Sequence, residues 1–425
     1  MRHSRFVVWL ITAAALAAPP GAAHAGSFGN FQHGGRGTGE AGALTARADD
    51  PSALSYNPAG ITALPGFQLQ LGLDFNAGEG KYSSSSGTFA DHHVINFPPA
   101  FYATWRLKDS PFAFGLGVDS PLWSIEDWRP TLFPGRFLNR RLDLQVGELH
   151  PVVAYDLGGG WSVGGGLRYA YANLRQGDNR ITGGPVTLRQ GDKLGVEFER
   201  DATAKIDALS WDLGVRYADP AWGWGVVYRS DSKMKGSGTV RYSAHTAPGV
   251  GGAGPFPDGR SDQAFEIPWE ARAGVWVAPY PELRLELDLA HQNWSALQAT
   301  SVTYTPNPVE AFPAVSTPRN WKDTDSLRLG IEGEVTNLWT LYGGIAYEKT
   351  PVPTSTLEPN FPRGDAIVYS FGFSINYPRI SLDAGASYYS HRSRRADNQE
   401  LLNPGVSGTY SADDRVWGGA IRWRF

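Results

Sequence analysis

The histidines are the residues of this sequence most readily suited to catalysis. A hydrolytic site places a histidine between a nucleophile and an orienting carboxylate, and none of the histidines beyond residue 90 lies in a recognisable nucleophile motif. Adjacent His92 and His93 lack further ligands at metal-binding spacing. We therefore expect no enzyme, no catalytic residue and no metal site. The histidines considered are His92, His93, His150, His245, His291 and His391.

Gly37, Gly39 and Gly42 match the GxGxxG pattern that cradles a dinucleotide pyrophosphate. That motif must follow a buried strand, whereas these glycines come soon after the N-terminal apolar stretch. The pattern is better explained by close backbone packing, which glycine permits. No cofactor is predicted.

The N-terminus has the features of a secretory signal. Arg2 and Arg5 precede an apolar stretch over residues 6–18, and a small-residue cleavage site follows at residues 23–25. The stretch is shorter than the roughly 20 residues that a membrane anchor needs. We expect residues 1–25 to be removed, which leaves the periplasm, the outer membrane or the exterior of a Gram-negative cell as the location of the mature chain.

The composition excludes several classes of protein. The 425 residues include no cysteine, which excludes disulfide scaffolds and thiolate metal sites. The formal net charge of -4 lacks the basic excess expected of a nucleic-acid partner. With 51 glycines and 15 tryptophans, the composition suits one large β-barrel.

Several segments alternate with a period of two. In residues 67–75 every odd position is apolar and every even one is polar or glycine, and residues 283–289, 327–335 and 380–384 repeat the pattern with full charges. Such a segment is typical of a strand with one apolar and one polar face. The last residues alternate too, ending on Trp423 and Phe425.

Short and long connections between these segments occur in turn. Short turns at residues 108–110, 158–160, 219–221, 279–281, 336–338 and 377–379 separate longer polar stretches near residues 79–99, 122–144, 176–204, 237–262, 295–323, 351–365 and 393–413. This order predicts an all-β fold, an antiparallel transmembrane β-barrel of about 14 strands with both ends in the periplasm. Trp161, Trp222, Trp224 and Trp339 lie beside the short turns, as an interfacial aromatic girdle requires.

Residues 26–65 precede the first strand and do not alternate. Apolar residues are spaced through them, and a barrel this wide leaks unless its interior is filled. We expect a plug over residues 26–65 and a barrel over residues 66–425. The apolar residues of the plug are Phe28, Phe31, Leu44, Leu54, Tyr56, Ile61 and Leu64.

Short motifs in order along the mature chain resemble the FadL-type family of outer-membrane transporters for long-chain fatty acids and aromatic hydrocarbons (OMPP1/FadL/TodX). They lie at residues 37–42, 48–50, 57–62, 133–136, 293–295 (in strand nine), 320–324 and 351–353. The resemblance implies a monomeric 14-stranded barrel, an N-terminal hatch, and passive uptake of hydrophobic molecules that leave sideways near strand three.

Two groups of residues are assigned to this path. At the plug, Asn57 is expected to bind the barrel wall, Pro58 to fix a turn, and Ala59 to leave room for an alkyl chain. In strand three a lateral opening is placed where glycine and proline interrupt the wall toward strand four. Its residues are Gly117, Asp119, Ser120 and Pro121.

A second set is assigned to substrate binding. A carboxylate entering an apolar pocket needs a cation, for which Lys322 is the first choice, followed by Arg175 and Arg136. Aromatic residues of the external loops are expected to form a collecting surface beside them. These loop residues are Trp123, Trp128, Phe133, Phe137 and Trp321. Phe28 and Phe31 of the plug are also assigned to substrate binding.

The predicted function is passive uptake of a hydrophobic small molecule, most directly a long-chain fatty acid, with release into outer-membrane lipid. Two alternatives stay open: an aromatic-hydrocarbon channel of the same family, and a diffusion porin for small polar solutes. A porin conducts ions freely, whereas a plugged channel does not.

Overall fold

The computed structural model describes residues 32–92, 95–128, 133–181, 197–244, 258–305, 315–396 and 407–425. The predicted signal segment, Phe28, Phe31, His93 and His245 lie outside these ranges. No helix in the described ranges is long and apolar enough to cross a membrane.

The described ranges form a closed antiparallel barrel with 14 wall strands, which confirms the predicted fold class. The barrel closes where the first strand pairs with the last, with Gln68 opposite Arg424 and Ser83 opposite Thr409. The strands are β1 Phe67–Ser84, β2 Gly87–Ala90, β3 Ile95–Asn96, β4 Pro99–Arg106, β5 Phe112–Asp127, β6 Arg141–Gly158, β7 Trp161–Ile181, β8 Glu197–Ala218, β9 Trp222–Arg229, β10 Ser232–Ala244, β11 Gly259–Ile267, β12 Glu270–Tyr280, β13 Leu283–Gln292, β14 Ala299–Thr305, β15 Val315–Pro318, β16 Thr324–Glu334, β17 Trp339–Glu348, β18 Ala366–Asn376, β19 Ile380–His391, β20 Arg394–Arg395 and β21 Thr409–Arg424.

Some wall strands are interrupted near their outer ends. The pairs β9 with β10, β11 with β12, β13 with β14 and β15 with β16 each form two parts of one wall strand. Asn293 and Trp294, which were placed in strand nine, lie in such an interruption, where a short 3₁₀ helix at Trp294–Ala296 separates β13 from β14. The backbone therefore leaves the wall at this motif instead of continuing through it.

The alternation in the sequence separates the inner and outer faces of the wall. On β13, Glu286 and Asp288 are buried inside the barrel while Leu287 and Leu289 are exposed on its outer surface. On β1, Asp74 is buried and Leu73 is exposed in the same way. Burying the outer apolar face in lipid is favourable, and the inner face must satisfy its polar groups within the protein.

All six predicted short turns are present between wall strands. The turn at residues 158–160 consists of three glycines with positive φ (79, 62 and 87°), a conformation that other residues rarely adopt. The long external loops are shorter than predicted, because strands continue into them: β7 ends at Ile181 and β8 starts at Glu197, inside the loop expected over residues 176–204.

The first described residues lie inside the barrel. They form helix α1 at Gly34–Gly39, helix α2 at Ala53–Tyr56 and a 3₁₀ helix at Pro58–Ala63. Almost every residue from 32 to 62 is buried. We call residues 32–64 the interior segment. The remaining short 3₁₀ helices lie in external connections, at Pro134–Phe137 and Thr354–Thr356.

Candidate functional site

Helix α1 lies against the first strand and the last two wall strands. The Gly34 N–H donates to Asp74 Oδ1 on β1 (3.1 Å), and Ser387 Oγ on β19 donates to the Thr38 carbonyl (2.8 Å). A Cβ on Gly418 of β21 would lie 2.6 Å from the Gly34 carbonyl. The close packing expected of the glycine-rich motif is thus used to seat α1 across the point where the barrel closes.

Asn57 ties the interior segment to the opposite wall. Its Nδ2 donates to the carbonyls of Val215 on β8 (3.2 Å) and of Thr45 (3.1 Å), and its Oδ1 accepts the Ala59 N–H (3.1 Å), which caps the 3₁₀ helix. Gly214 and Gly225 leave room for it, because a Cβ at either position would collide with the amide. Pro58 and Ala59 pack equally closely on β7, where a Cβ at Gly164 would be 2.7 to 2.8 Å from their backbone.

A buried ionic network holds the middle of the interior segment. Arg47 Nε binds Glu286 of β13 (2.7 Å), its Nη1 binds Glu332 of β16 (3.2 Å), and its Nη2 binds Glu40. Burial alone lowers the pKa of Arg47, but the surrounding carboxylates raise it well above its ordinary value. Arg47 therefore stays charged and couples the segment to two wall strands.

Arg36 forms a second centre in the same network. Its guanidinium lies 2.6 Å from Asp49, 3.0 Å from Asp50 and 2.8 Å from Glu332. Backbone groups join in, since Asp288 accepts the Thr45 N–H (2.9 Å) and Glu286 accepts the Ala46 N–H (2.6 Å). Charged groups thus fill this level of the barrel interior.

Three of the residues assigned to the opening in strand three, Asp119, Ser120 and Pro121, lie at a β-bulge in β5. Pairing with β6 shifts register between Asp119, opposite Glu148, and Leu122, opposite Val146. Asp119 accepts hydrogen bonds from Tyr102 (3.1 Å) and from Ser55 of α2. Gly117 faces α2 as well, because a Cβ there would lie 3.5 Å from Leu54.

The interruption expected between strands three and four is limited to this bulge. Pairing of β5 with β6 continues on both sides of the bulge, from Phe112 to Asp127. On the other edge of β5, the ladder with β4 ends where Phe101 faces Val118. Above Val118 no ladder with β4 exists among the described residues. The reason is that β4 begins only at Pro99, so β5 extends beyond its neighbour.

An apolar cluster fills the outer half of the barrel interior. Trp128 stacks on Phe133 with 4.6 Å between ring centroids, and Trp321 meets Trp294 and Phe361 edge-on at 5.2 Å each. We call this group the outer cluster. Its residues are Tyr82, Leu122, Trp128, Phe133, Leu142, Leu144, Val146, Ala170, Ala172, Leu174, Ala204, Ile206, Met234, Phe265, Trp294, Leu297, Trp321, Val352, Leu357, Phe361, Ala396 and Tyr410.

The predicted collecting surface of loop aromatics is therefore mostly interior. Trp128, Phe133 and Trp321 are at most 1% exposed, while Trp123 and Phe137 are half-buried. The loops fold inward over the barrel mouth, which buries apolar side chains that would be costly to expose to water.

The three predicted cations do not form one site. Lys322 is exposed although the adjacent Trp321 is buried. Arg175 is exposed and lies 3.9 Å from Asp201, and Arg136 packs its guanidinium 4.2 Å from the ring centroid of Phe137. Each of the three thus has its own surface surroundings.

Two arginines that no sequence pattern marked lie beside the outer cluster, Arg319 buried and Arg363 half-buried. Arg363 binds Glu126 of β5 and Asp414 of β21 (2.6 Å), so it joins an external loop to two wall strands. Arg319 binds Glu358 and lies 5.3 Å from the ring centroid of Phe361. Their acidic partners are 39 to 237 residues away in sequence, so no local pattern could have marked them.

Among the described histidines considered for catalysis, His150 is the most buried. Its Nε2 lies 3.1 Å from Asp212, and its Nδ1 lies 3.1 Å from Arg168, which also binds Glu148. These groups come from β6, β7 and β8 and neutralise one another inside the wall. The arrangement is an ion network rather than a nucleophile with its base.

Known proteins resemble this chain over most of its length. The long-chain fatty acid transport protein of Escherichia coli K12 is 24% identical over 375 residues, which cover 80% of this chain and 82% of that protein. Alkane uptake protein A of Marinobacter nauticus is 23% identical over 412 residues, 88% of this chain and 86% of the relative.

Solved structures share the fold. A Pseudomonas aeruginosa FadL homologue superposes with a TM-score of 0.81 at 18% identity, covering 94% of this chain and 99% of the homologue. The Ralstonia pickettii toluene transporter TbuX gives a TM-score of 0.71 at 19% identity, with 93% and 99% covered.

A family model agrees with both comparisons. The model described as outer membrane protein transport protein (OMPP1/FadL/TodX) matches residues 15–425. The family is one of transport proteins, which confirms the expectation that the chain is not an enzyme. The chain belongs to the outer membrane protein transport protein family (OMPP1/FadL/TodX).

Proposed function

We propose that the protein takes up hydrophobic compounds across the outer membrane by passive diffusion. The observation that carries this proposal is the outer cluster, an apolar interior placed directly above a charged one. An apolar solute gains free energy by leaving water for such a surface, at roughly 25 cal/mol per Å² of apolar area buried. A polar solute gains no comparable free energy by entering this surface.

We propose further that the interior segment is a plug and that residues 26–65 form one functional unit. The ionic network and the Asn57 contacts fix this segment to strands on both sides of the interior. Straight passage would carry an apolar solute past Arg36, Arg47 and their carboxylates, where it would lose its apolar surroundings. A filled interior favours this function over the diffusion porin.

Lateral release is the exit that fits these contacts. The ladder of β5 with β4 ends at Val118, beside the bulge at residues 119–122, and Leu54, Tyr102 and Gly117 lie close together there. A solute leaving there passes from protein to lipid without entering water. We therefore keep Gly117, Asp119, Ser120 and Pro121 as gate residues and place the opening toward β4. Asn57, Pro58 and Ala59 hold the plug beside it.

Long-chain fatty acids are the first substrate class to test, because the Escherichia coli relative transports them by its name. Alkanes and toluene follow, after the names of the Marinobacter and Ralstonia proteins. In this proposal Phe28, Phe31, Trp321 and the cations Lys322, Arg175 and Arg136 contact the substrate, with Lys322 capturing a carboxylate at the mouth. We propose a monomer acting alone in the outer membrane.

The test combines conductance with uptake. In planar bilayers the intact chain should conduct ions poorly, and deletion of residues 26–65 should produce a steady ion leak. Cells carrying the intact chain should take up labelled palmitate or toluene faster than cells without it. Unchanged conductance after the deletion removes the plug from the proposal, and an uptake rate equal to that of empty cells removes the transport function.

A further inference from the structure

A small polar cavity lies at the edge of the outer cluster. It has a volume of about 40 Å³, room for about three water molecules or one oxygen-bearing head group. Strands β7, β8 and β14 and the connections before β6 and after β15 and β17 line it. The lining residues are Leu138, Asn139, Gln176, Gly177, Asp178, Arg200, Thr300, Val302, Tyr304, Thr317, Arg319 and Glu358.

Arg200 is the residue of this cavity with an unused donor. Its Nε and Nη2 donate to the two carboxylate oxygens of Asp178 (2.9 and 2.6 Å), and its Cζ lies 4.5 Å from the ring centroid of Tyr304. These contacts fix the guanidinium plane. Nη1 makes no hydrogen bond to any described residue, although Arg200 is only 4% exposed. A buried donor without an acceptor is costly.

The charges of the cavity are already balanced. Asp178 neutralises Arg200, and Glu358 neutralises Arg319, whose Nε also donates to Thr300 Oγ1 (3.0 Å). The cavity therefore requires an acceptor oxygen more than it requires a second negative charge. Such an oxygen can belong to a hydroxyl, a carbonyl or a carboxylate.

Apolar residues flank the cavity on two sides. Phe361 of the outer cluster lies under Arg319, and Tyr304 belongs to a second apolar group near the rim. Leu138 and Val302 provide apolar walls of the cavity itself. The fitting ligand is accordingly an amphiphile, with one oxygen at Arg200 and a hydrocarbon part on the outer cluster.

We propose that this cavity is a head-group site that selects oxygen-bearing amphiphiles over plain hydrocarbons, with Arg200 Nη1 as the donor that recognises the oxygen. The inference rests on the proposed uptake function and names a substrate class for it. Neither the position of Arg200 nor that of Arg319 was among the sequence-derived candidates.

The experiment measures binding of radiolabelled palmitate, 1-hexadecanol and hexadecane to the full-length protein in detergent. The variants are Asp178→Asn, which keeps Arg200, and Arg200→Met with Asp178→Asn, which removes the donor without stranding a carboxylate. Arg241→Met, at an exposed pair with Asp258, is the matched control. We expect loss of Arg200 to weaken binding of an oxygenated ligand about tenfold and to leave hexadecane unchanged.

Palmitate presents a carboxylate oxygen and hexadecanol a hydroxyl oxygen. Weaker binding of either ligand on loss of Arg200 supports the site. Equal loss for all three ligands, or no loss for any, overturns it. If the double variant does not fold, as judged by heat-modifiable migration in gels, Arg200→Lys tests the same donor while keeping the charge. Failure of the intact protein to bind any of the three ligands refutes the proposed function instead.

Discussion

Asn57 and Gly214 form a matched pair in which the side-chain amide of one occupies the space that a side chain on the other would fill. The amide donates to the carbonyl of Val215, the residue after this glycine, at 3.2 Å. The wall thus leaves room for the amide at Gly214 and supplies the carbonyl that accepts its hydrogen bond. Seating of the interior segment depends on both features.

Gly214→Val should loosen the interior segment, because the new side chain collides with Asn57. We expect increased ion conductance in planar bilayers and faster proteolysis within residues 32–64. Gly147→Val is the control, since no atom lies within 4 Å of a Cβ at Gly147. Equal conductance of the two variants would show that this contact does not seat the segment.

Arg47→Met should destabilise the interior segment strongly. Removing one partner of a buried ion pair typically costs about 3 to 5 kcal/mol, because the remaining carboxylates lose their counter-charge. Urea-dependent protection of the segment from protease measures the change. Arg241→Met removes an exposed pair and should cost at most about 1 kcal/mol. A loss no larger than that control's would contradict the role given to the network.

Protonation of His33 should weaken seating of the interior segment in acid. Burial lowers the pKa of His33 to about 4, from an ordinary value near 6.5. The released segment therefore binds more protons between these values, and stability falls as the pH drops from about 6.5 through 4. His33→Phe should flatten this part of a protease-protection profile, and His291→Asn, at a half-buried histidine outside the interior segment, is the control. Identical profiles for His33→Phe and the unaltered chain would show that His33 is not the group responsible for the acid-dependent loss of protection.

Trp128→Ala should reduce binding of any hydrophobic ligand to the outer cluster. The indole is fully buried, stacks on Phe133, and donates to the Pro359 carbonyl (3.0 Å). Removing it opens a cavity and costs about 3 to 5 kcal/mol of folding free energy. Ligand binding to folded, detergent-solubilised protein is the measurement. Trp211→Ala, at a tryptophan exposed on the outer wall, should leave binding intact.

Gly117→Phe should slow uptake without preventing barrel assembly. A methyl group at this position fits, with Tyr102, Leu54 and His150 at 3.4 to 3.6 Å, so Gly117→Ala should be tolerated. A phenyl ring would crowd the point where the ladder between β4 and β5 ends. Uptake of labelled substrate by cells is the measurement. Uptake of the Phe variant at the rate of the Ala variant would place the exit elsewhere.

The strands of the barrel wall could be predicted because the signals that define them lie within short segments of the sequence. Alternation in residues 67–75 and 283–289 is enough to orient each strand, since lipid outside and protein inside impose opposite polarity on successive residues. The short turns are equally local, as the three glycines at 158–160 illustrate. For this reason the fold class could be derived before any coordinate was known.

The interior was not predictable in the same way. Arg47 and Glu286 are 239 residues apart, and only the curvature of the closed barrel brings them together. Trp128 and Lys322 both lie in polar stretches of the sequence, yet Trp128 is buried and Lys322 is exposed. The point where the ladder of β5 with β4 ends depends on where β4 begins, and alternation does not mark strand ends.

The position of α1 has a consequence for biogenesis. This helix is the first described element of the chain, but its contacts with Ser387 and Gly418 belong to the last wall strands to be synthesised and exported. Its contacts are complete only when the C-terminal strand has joined β1. For the proposed plug, closure of the barrel and filling of its lumen are therefore completed together.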